Sequence, residues 1–278
     1  MNARLLFILL LFTIGALWYI IGYWRRKAGE AAFAAARLTE KSEERERYCR
    51  LAVMAGHREA CRMFCLLHPE RFDGHSPHKP FKLRGIRISF YGYYYPSRYN
   101  ALLNDEQRAF CHSIYQFKQG DIHGIEFFKT CMNALQLKKR PYHIMFMPCS
   151  NWIKYGQRFK RLDWDIGKNR QDLTSGLYDV DICDARESLH EAKGGEKRIL
   201  ERNYLITGKI KGKEIIIIDD VLTTGQSVVD YKEEIERCGG KVVAAIFYGK
   251  TLSMPSMLLV QIHVWGNHIA HIIERMTK

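Results

Sequence analysis

Eight cysteines occur in this chain, yet no two of them form a Cys-x-x-Cys pair. That spacing is what zinc ribbons and thioredoxin-like redox motifs require, so its absence argues against both. Cys61 and Cys65 are four residues apart on an expected helix, but no matching pair of ligands follows. The thiols, at positions 49, 61, 65, 111, 131, 149, 183 and 238, read as buried and reduced. His57, His68, His75 and His78 are not at metal-ligand spacing and read as surface or turn residues. Acidic residues are the minority, 30 against 43 Lys and Arg, for a net charge of +13. A surplus of that size points to nucleic acid, anionic lipid or a polyanionic small molecule. The basic runs are scattered over Arg45–Arg50, Lys79–Arg87, Lys138–Arg140, Lys154–Arg161 and Lys193–Arg202. No single stripe of them is interleaved with aromatics, which disfavours nucleic acid as a direct ligand. Charge is wholly missing from Leu5 to Trp24.

That uncharged stretch is ~20 residues long, the length of one bilayer crossing. Trp18, Tyr19, Tyr23 and Trp24 gather toward its end, as interfacial aromatics do, and Arg25-Arg26-Lys27 follow at once. Only the α-amino group and Arg4 lie on the other side. The expectation is an uncleaved single-pass anchor over residues 1–27 in a bacterial-type inner membrane, with the body in the cytoplasm. A cleaved signal peptide is the rival, but the small residues Ala31–Ala36 come only after three basic ones.

What is present in strength is Ile215-Ile-Ile-Ile-Asp219-Asp220-Val221-Leu222-Thr223-Thr224-Gly225-Gln226-Ser227. Ile215–Ile218 has the continuous apolar character of a strand buried on both faces. Asp219 and Asp220 then sit at its carboxyl end, where open α/β sheets bind ligands. A helix is expected from near Ser227, with Val228, Tyr231, Ile235 and Cys238 on one face, ended at Gly239 or Gly240. Free N–H groups at its start, the glycine and the hydroxyls of Thr223, Thr224 and Ser227 suit a phosphate. The carboxylates would repel phosphate but accept well from a vicinal diol. The stretch is not a nucleotide P-loop, since no lysine follows Gly225, and it lacks the three spaced glycines of a dinucleotide fingerprint.

Residues 215–227 resemble the 5-phosphoribosyl-1-pyrophosphate (PRPP) motif of type I phosphoribosyltransferases. The resemblance implies an α/β domain, a parallel five-stranded sheet with flanking helices and a small hood supplied by residues 84–140. It further implies PRPP bound by Asp219 to Ser227, magnesium accompanying the PRPP with no direct protein ligand, and release of pyrophosphate.

Other segments carry the resemblance further. Arg84 to Tyr95 is an aromatic strand or hairpin, Asp105 to Lys118 and Ile122 to Leu137 are amphipathic helices broken at Gly120, and Tyr142–Met147 is a strand. Pro148-Cys149-Ser150-Asn151 ends that strand as a loop, and a basic helix follows. With Phe117-Lys118-Gln-Gly120-Asp121, Arg202-Asn203 and Gly212-Lys213, residues 84–278 resemble the competence-protein-F-like branch of that family. The branch implies that the 148–151 loop holds pyrophosphate. It also implies a flexible catalytic loop within 183–203, with Lys193, Lys197 and Arg198 closing over the pyrophosphate. Departures are Gly156-Gln157-Arg158-Phe159-Lys160, where the branch has Arg-Gly-Phe-Asn-Gln, and the missing four-cysteine zinc module. Thr223 stands where relatives acting on 6-oxopurines carry Asp, which argues against that acceptor.

Residues 28–80 read as a helical linker. Two short helices joined at Gly56 within 46–64 resemble one Sel1-like repeat, and a plain helical hairpin is the alternative. Lys241–Tyr248 and Met257–Trp265 are expected strands, and Gly266–Met276 a terminal helix. Three functions stay open: a membrane-anchored phosphoribosyltransferase, a non-catalytic PRPP-binding or DNA-uptake-related regulator, and a tethered helical-repeat adaptor. The acceptor and the oligomeric state also stay open.

Overall fold

The computed structural model describes residues 3–122, 124–182 and 203–277, with side chains from Leu10 onward. The chain begins with α1 (Ala3–Leu38), α2 (Ser42–Met54), α3 (Arg58–Leu67) and α4 (Pro69–Asp73). Next come β1 (Phe81–Leu83), β2 (Ile86–Tyr94), α5 (Asp105–Gln119), α6 (Ile125–Leu135), β3 (Tyr142–Phe146) and α7 (Trp152–Asn169). Last are β4 (Leu173–Ser175), β5 (Val180–Ile182), β6 (Tyr204–Ile206), β7 (Glu214–Leu222), α8 (Gln226–Arg237), β8 (Lys241–Thr251) and α9 (Met257–Met276). These elements form two units. One comprises His75–Asn100 and Asn104–Leu252, and the other Met1–Gly74, Ala101–Leu103 and Ser253–Lys278.

The first unit is built on a six-stranded sheet in the order β1-β2-β8-β7-β3-β4. All its pairings are parallel except that of β1 with β2. β7 lies between β8 and β3, with Ile218 level with Ile246 on one side and Phe146 on the other. Ile215, Ile216, Ile217 and Ile218 are completely buried, as the unbroken apolar run requires. Burial of each contributes about 1.5–3 kcal/mol. α5 and α6 are fixed to the sheet through Tyr248 of β8, which stacks on Phe127 at 4.6 Å and meets Phe117 edge-on at 5.5 Å.

Two expectations about this unit need correction. The hood assigned to 84–140 does not form: β2 is a strand of the main sheet, parallel to β8, and α5 and α6 cover that sheet. Ile88, Ser89 and Phe90 are buried in succession, as a strand covered on both faces requires. The sheet thus has six strands, one of them antiparallel. β5 is not part of that sheet but pairs antiparallel with β6 in a separate two-stranded ribbon.

In the second unit α2 and α3 form a hairpin that packs on α1 and α9. Gly56, at φ +87°, makes the turn, and the His57 imidazole caps α3 by accepting from the Ala60 N–H. Cys49, Ala52, Ala60 and Cys61 are buried where the helices meet, small enough for close approach. The seven described cysteines are unpaired, and burial pushes the Cys49 and Cys65 thiols up to about 12. Met257–Trp265 is not a strand but the first half of α9. A short apolar run does not distinguish the two. Ser256 caps the helix at the Leu259 N–H, and Val260 and Val264, one turn apart, supply its buried face. α1 is one continuous helix through the expected anchor and the alanine-rich linker, and Phe12, Leu17, Trp18, Ile21 and Trp24 are exposed on it. Among the described residues no helix is long and apolar enough to cross a membrane.

Gly120 ends α5 at φ +81°, and a β-carbon there would stand 2.5 Å from the Gln157 carbonyl oxygen of α7. Gly120→Ala is expected to lower stability by at least about 1–2 kcal/mol in chemical denaturation. Gly156→Ala, inside α7 with nothing within 4 Å of the added carbon, is expected to raise it by about 0.5–1 kcal/mol.

Candidate functional site

β7 does not stop at the last isoleucine. It continues through Asp219 and Asp220 to Leu222, so both carboxylates are carried on the carboxyl end of a central strand. Thr223 and Thr224 turn the chain, and Gly225, at φ +78°, opens α8 in the left-handed region that favours glycine. A β-carbon at Gly225 would fall 2.2 Å from Cδ2 of Leu83, so a side chain here would have to displace Leu83 as well as adopt a strained positive φ. No side chain caps the helix from Gly225. The Gln226 N–H donates to Thr224 Oγ1 at 3.4 Å.

The two carboxylates differ in surroundings. Asp219 Oδ1 accepts from the Asp220 N–H at 2.8 Å, and Asp220 Oδ1 from the Val221 N–H at 2.6 Å. Asp220 Oδ2 lies 3.0 Å from Arg158 Nη1 and 3.2 Å from Lys118 Nζ, while Arg158 Nη1 stands 3.8 Å from Asp219 Oδ1. Lys118 closes the last turn of α5 and also lies 5.9 Å from the centre of the Tyr94 ring. Burial raises the Asp219 pKa well above its ordinary value, and the neighbouring Asp220 charge raises it further. Burial acts in the same direction on Asp220, but Arg158 and then Lys118 hold its carboxyl below that value. The pair therefore titrates as a dyad in which Asp220 keeps the charge and Asp219 holds the proton longer.

The end of β3 lies alongside, where the Met147 N–H donates to the Ile218 carbonyl at 2.9 Å. Pro148, Cys149, Ser150 and Asn151 follow as a loop into α7. Asn151 caps that helix by accepting from the Lys154 N–H at 2.9 Å. Burial pushes the Cys149 thiol up to about 12, with Arg158, Asp219 and Asp220 within electrostatic reach. The loop is pinned from outside by Asn203, whose Nδ2 donates to the Cys149 carbonyl at 3.2 Å. Trp152 Nε1, one residue beyond the loop, donates to Asp181 Oδ1 of β5 at 3.3 Å. The ribbon's inner end is held too: His143 Nε2 lies 2.6 Å from Asp179 Oδ2, and its Nδ1 lies 2.7 Å from Thr174 Oγ1. β5 and β6 pair through Ile182 and Tyr204, and Asn203 joins this end of the ribbon to the 148–151 loop. Lys193, Lys197 and Arg198 lie outside the described residues.

Residues 171–251 match the phosphoribosyl transferase domain family. That span runs from β4 to the end of β8 and contains the acidic pair and the Thr223–Ser227 turn. Over 57 residues the chain is 42% identical to an orotate phosphoribosyltransferase of Sulfolobus acidocaldarius, a stretch that is 20% of this chain and 26% of that relative. The chain thus spans about a quarter of that relative's length.

The structure brings the acidic pair, the Thr223–Ser227 turn and the 148–151 loop to one end of the sheet. Sequence reasoning did not assign Lys118 and Arg158 to the site. Arg158 flanks the buried α7 stripe of Tyr155, Phe159 and Leu162, but nothing local in the sequence aims it at β7.

The two carboxyls predict opposite stability effects. Folding takes up protons at Asp219 between its unfolded value, near 3.8, and its raised folded value, so stability falls as pH rises through that window. Asp219→Asn is expected to raise the melting temperature of the ligand-free protein above the window, with the gain vanishing below about pH 3.8. Asp220 contributes stability above the same unfolded value, which is lost as pH falls through its lowered one. Asp220→Asn strands Arg158 and Lys118 and is expected to lower stability by about 3 kcal/mol in denaturant titration at neutral pH.

Proposed function

We propose that this chain binds PRPP at the carboxyl end of β7 and transfers its phosphoribosyl group to a nucleobase-like acceptor, releasing pyrophosphate. The family match and the 57-residue likeness support PRPP-dependent phosphoribosyl transfer in general. The observation that carries the reading for this site is the direct passage from two carboxylates into the left-handed Gly225 at the start of α8. A diol and a phosphate carried on one sugar are what that juxtaposition suits. Asp219 and Asp220 accept from the ribose hydroxyls. The N–H groups and hydroxyls of Thr223, Thr224, Gly225, Gln226 and Ser227 take the 5-phosphate, assisted by the helix dipole. The backbone of Pro148–Asn151 faces the pyrophosphate, and Lys193, Lys197 and Arg198 are proposed to close over it.

The bond that breaks joins the anomeric carbon to pyrophosphate, and the bond that forms joins that carbon to the acceptor nitrogen. Positive charge develops on the ribose ring between these events, next to the carboxylate that Arg158 and Lys118 keep ionised. Positioning and fixed charge supply the rate. Among the described residues no group of three or more His, Cys, Asp and Glu is gathered to hold a metal. The carboxylate oxygens of Asp219 and the hydroxyl of Thr223 would suit a hard cation carried in by the substrate's own phosphates, without forming a metal site of their own. Magnesium bound to PRPP would supply charge neutralisation of the leaving pyrophosphate. Thr223 in the loop leads us to propose an acceptor other than a 6-oxopurine.

The cellular setting is part of the proposal. The uncharged run Leu5–Trp24, its exposed side chains from Leu10 on and the following Arg25-Arg26-Lys27 support a single-pass inner-membrane anchor with the sheet unit in the cytoplasm. The α2–α3 hairpin then serves as a Sel1-like or plain helical spacer. A second reading, a PRPP-binding regulator of the competence-protein-F type without turnover, is favoured by one observation. Arg158 and Lys118 already engage Asp220, which would then have to be shared with the diol.

Titration calorimetry of the full-length protein with PRPP and magnesium is expected to give saturable binding, weakened at least about tenfold in Asp219→Asn, equal to 1.4 kcal/mol. Absence of heat with both proteins sinks the PRPP reading. Heat without pyrophosphate release across a panel of nucleobases selects the regulator. In membrane fractionation, the full-length chain is expected to resist alkaline carbonate extraction, whereas a chain lacking residues 1–27 is expected in the supernatant.

A further inference from the structure

The turn between β1 and β2 contains a residue out of place. Leu83 pairs with Ile86, so Arg84 and Gly85 form a two-residue hairpin loop. Both have positive φ, 45° and 84°, as a type I′ turn demands. Asn-Gly is the preferred pair for such a turn, because asparagine tolerates the left-handed region and glycine is free in it. Arginine does neither, and a long side chain held there is uncommon enough to prompt a search for what it reaches.

It reaches the start of α8. Arg84 Nη1 donates to Gln226 Oε1 at 2.7 Å, and Gln226 Nε2 donates onward to Asp230 Oδ1 at 2.6 Å. The neighbouring Leu83 is the residue whose Cδ2 closes on Gly225. The hairpin tip therefore meets Gly225 and Gln226 at two independent points, one apolar and one polar.

Charge gives this contact its meaning. From Val221 to Ser227 the chain has no cation, and two carboxylates precede it. Within that stretch a phosphate dianion would meet hydroxyls, N–H groups and a helix dipole, and the stretch itself supplies no full positive charge. Lys118 and Arg158 are engaged by Asp220. The Arg84 guanidinium, held by Gln226 at the start of α8, is placed to bring a full positive charge to the turn, and its planar fork matches a phosphate.

We propose that Arg84 is a phosphate-binding and specificity residue of this site, reaching from the β1–β2 turn to select ligands that carry a 5-phosphate. This rests on the PRPP reading above and adds to it a residue from outside the 215–227 stretch. Gln226 holds the guanidinium in register before ligand arrives and shares it with the phosphate afterwards.

The test uses the full-length protein, with ribose 5-phosphate and pyrophosphate titrated separately in the presence of magnesium. Arg84→Asn restores the favoured residue of the turn, so its melting temperature is expected to equal or exceed that of wild type. Its affinity for ribose 5-phosphate is expected to fall about tenfold, the loss of one charge-assisted contact, while pyrophosphate affinity stays unchanged. Arg84→Lys is expected to recover part of the loss. If wild type binds PRPP and Arg84→Asn binds ribose 5-phosphate equally well, the assignment of Arg84 is overturned and the site stands. Equal weakening toward both ligands with a lowered melting temperature also overturns it, since that is the signature of a structural turn residue. If wild type binds neither PRPP nor ribose 5-phosphate, the site itself falls and the assignment with it.

Discussion

A strand buried on both faces can bear charge only near the end where it leaves the sheet, and β7 follows that constraint. Four isoleucines without exposure bring the strand through the centre, and two aspartates come next. Placing carboxylates there is costly unless they are compensated. Arg158 from α7 and Lys118 from α5 compensate Asp220 within 3.2 Å. The positions of α5 and α7 follow in part from that demand, because each must deliver a cation to the same oxygen. Gly120 lets α5 end close against the α7 backbone just beyond Lys118.

The same arrangement divides one chemical type into two roles. Asp220 is held ionised by two cations, whereas Asp219, with only the more distant Arg158, keeps its proton to higher pH. Such division is common where adjacent acids serve a site rather than a scaffold. Here it leaves one carboxyl whose ionisation would be favoured by an approaching donor or positive charge. A diol whose sugar becomes positively charged would supply both. The Thr223–Ser227 turn, by contrast, relies on backbone N–H groups and on neighbours from other elements, Leu83 and Arg84 among them.

Much of this was legible from residue order. The Ile run, the acidic pair and the following glycine located a strand and the helix after it, and these are β7 and α8, with Gly225 in the left-handed conformation the turn needs. The breaks at Gly56 and Gly120 also stand. The errors have a shared cause. Met257–Trp265 is apolar enough for a strand or a helix, and only the Ser256 cap and the buried Val260 and Val264 decide for the helix. The run from Arg84 to Tyr95 is a strand, as one of its two readings has it, but its pairing with β8 draws it into the main sheet and not into a hood. Neither outcome depends on the residues of the segment alone.

The sequence by itself determined the donor side of the proposed chemistry, because a phosphate-and-diol site can be assembled from consecutive residues at a strand–helix junction. Backbone direction and local hydroxyls carry nearly all of it. The tertiary structure alone decided the charges around that site. Arg158, Lys118 and Arg84 lie far along the chain from Asp220 and Gln226, and each reaches its partner from a different helix or turn. Electrostatic pairing acts through space and depends on distance and burial, quantities that spacing along a chain does not encode.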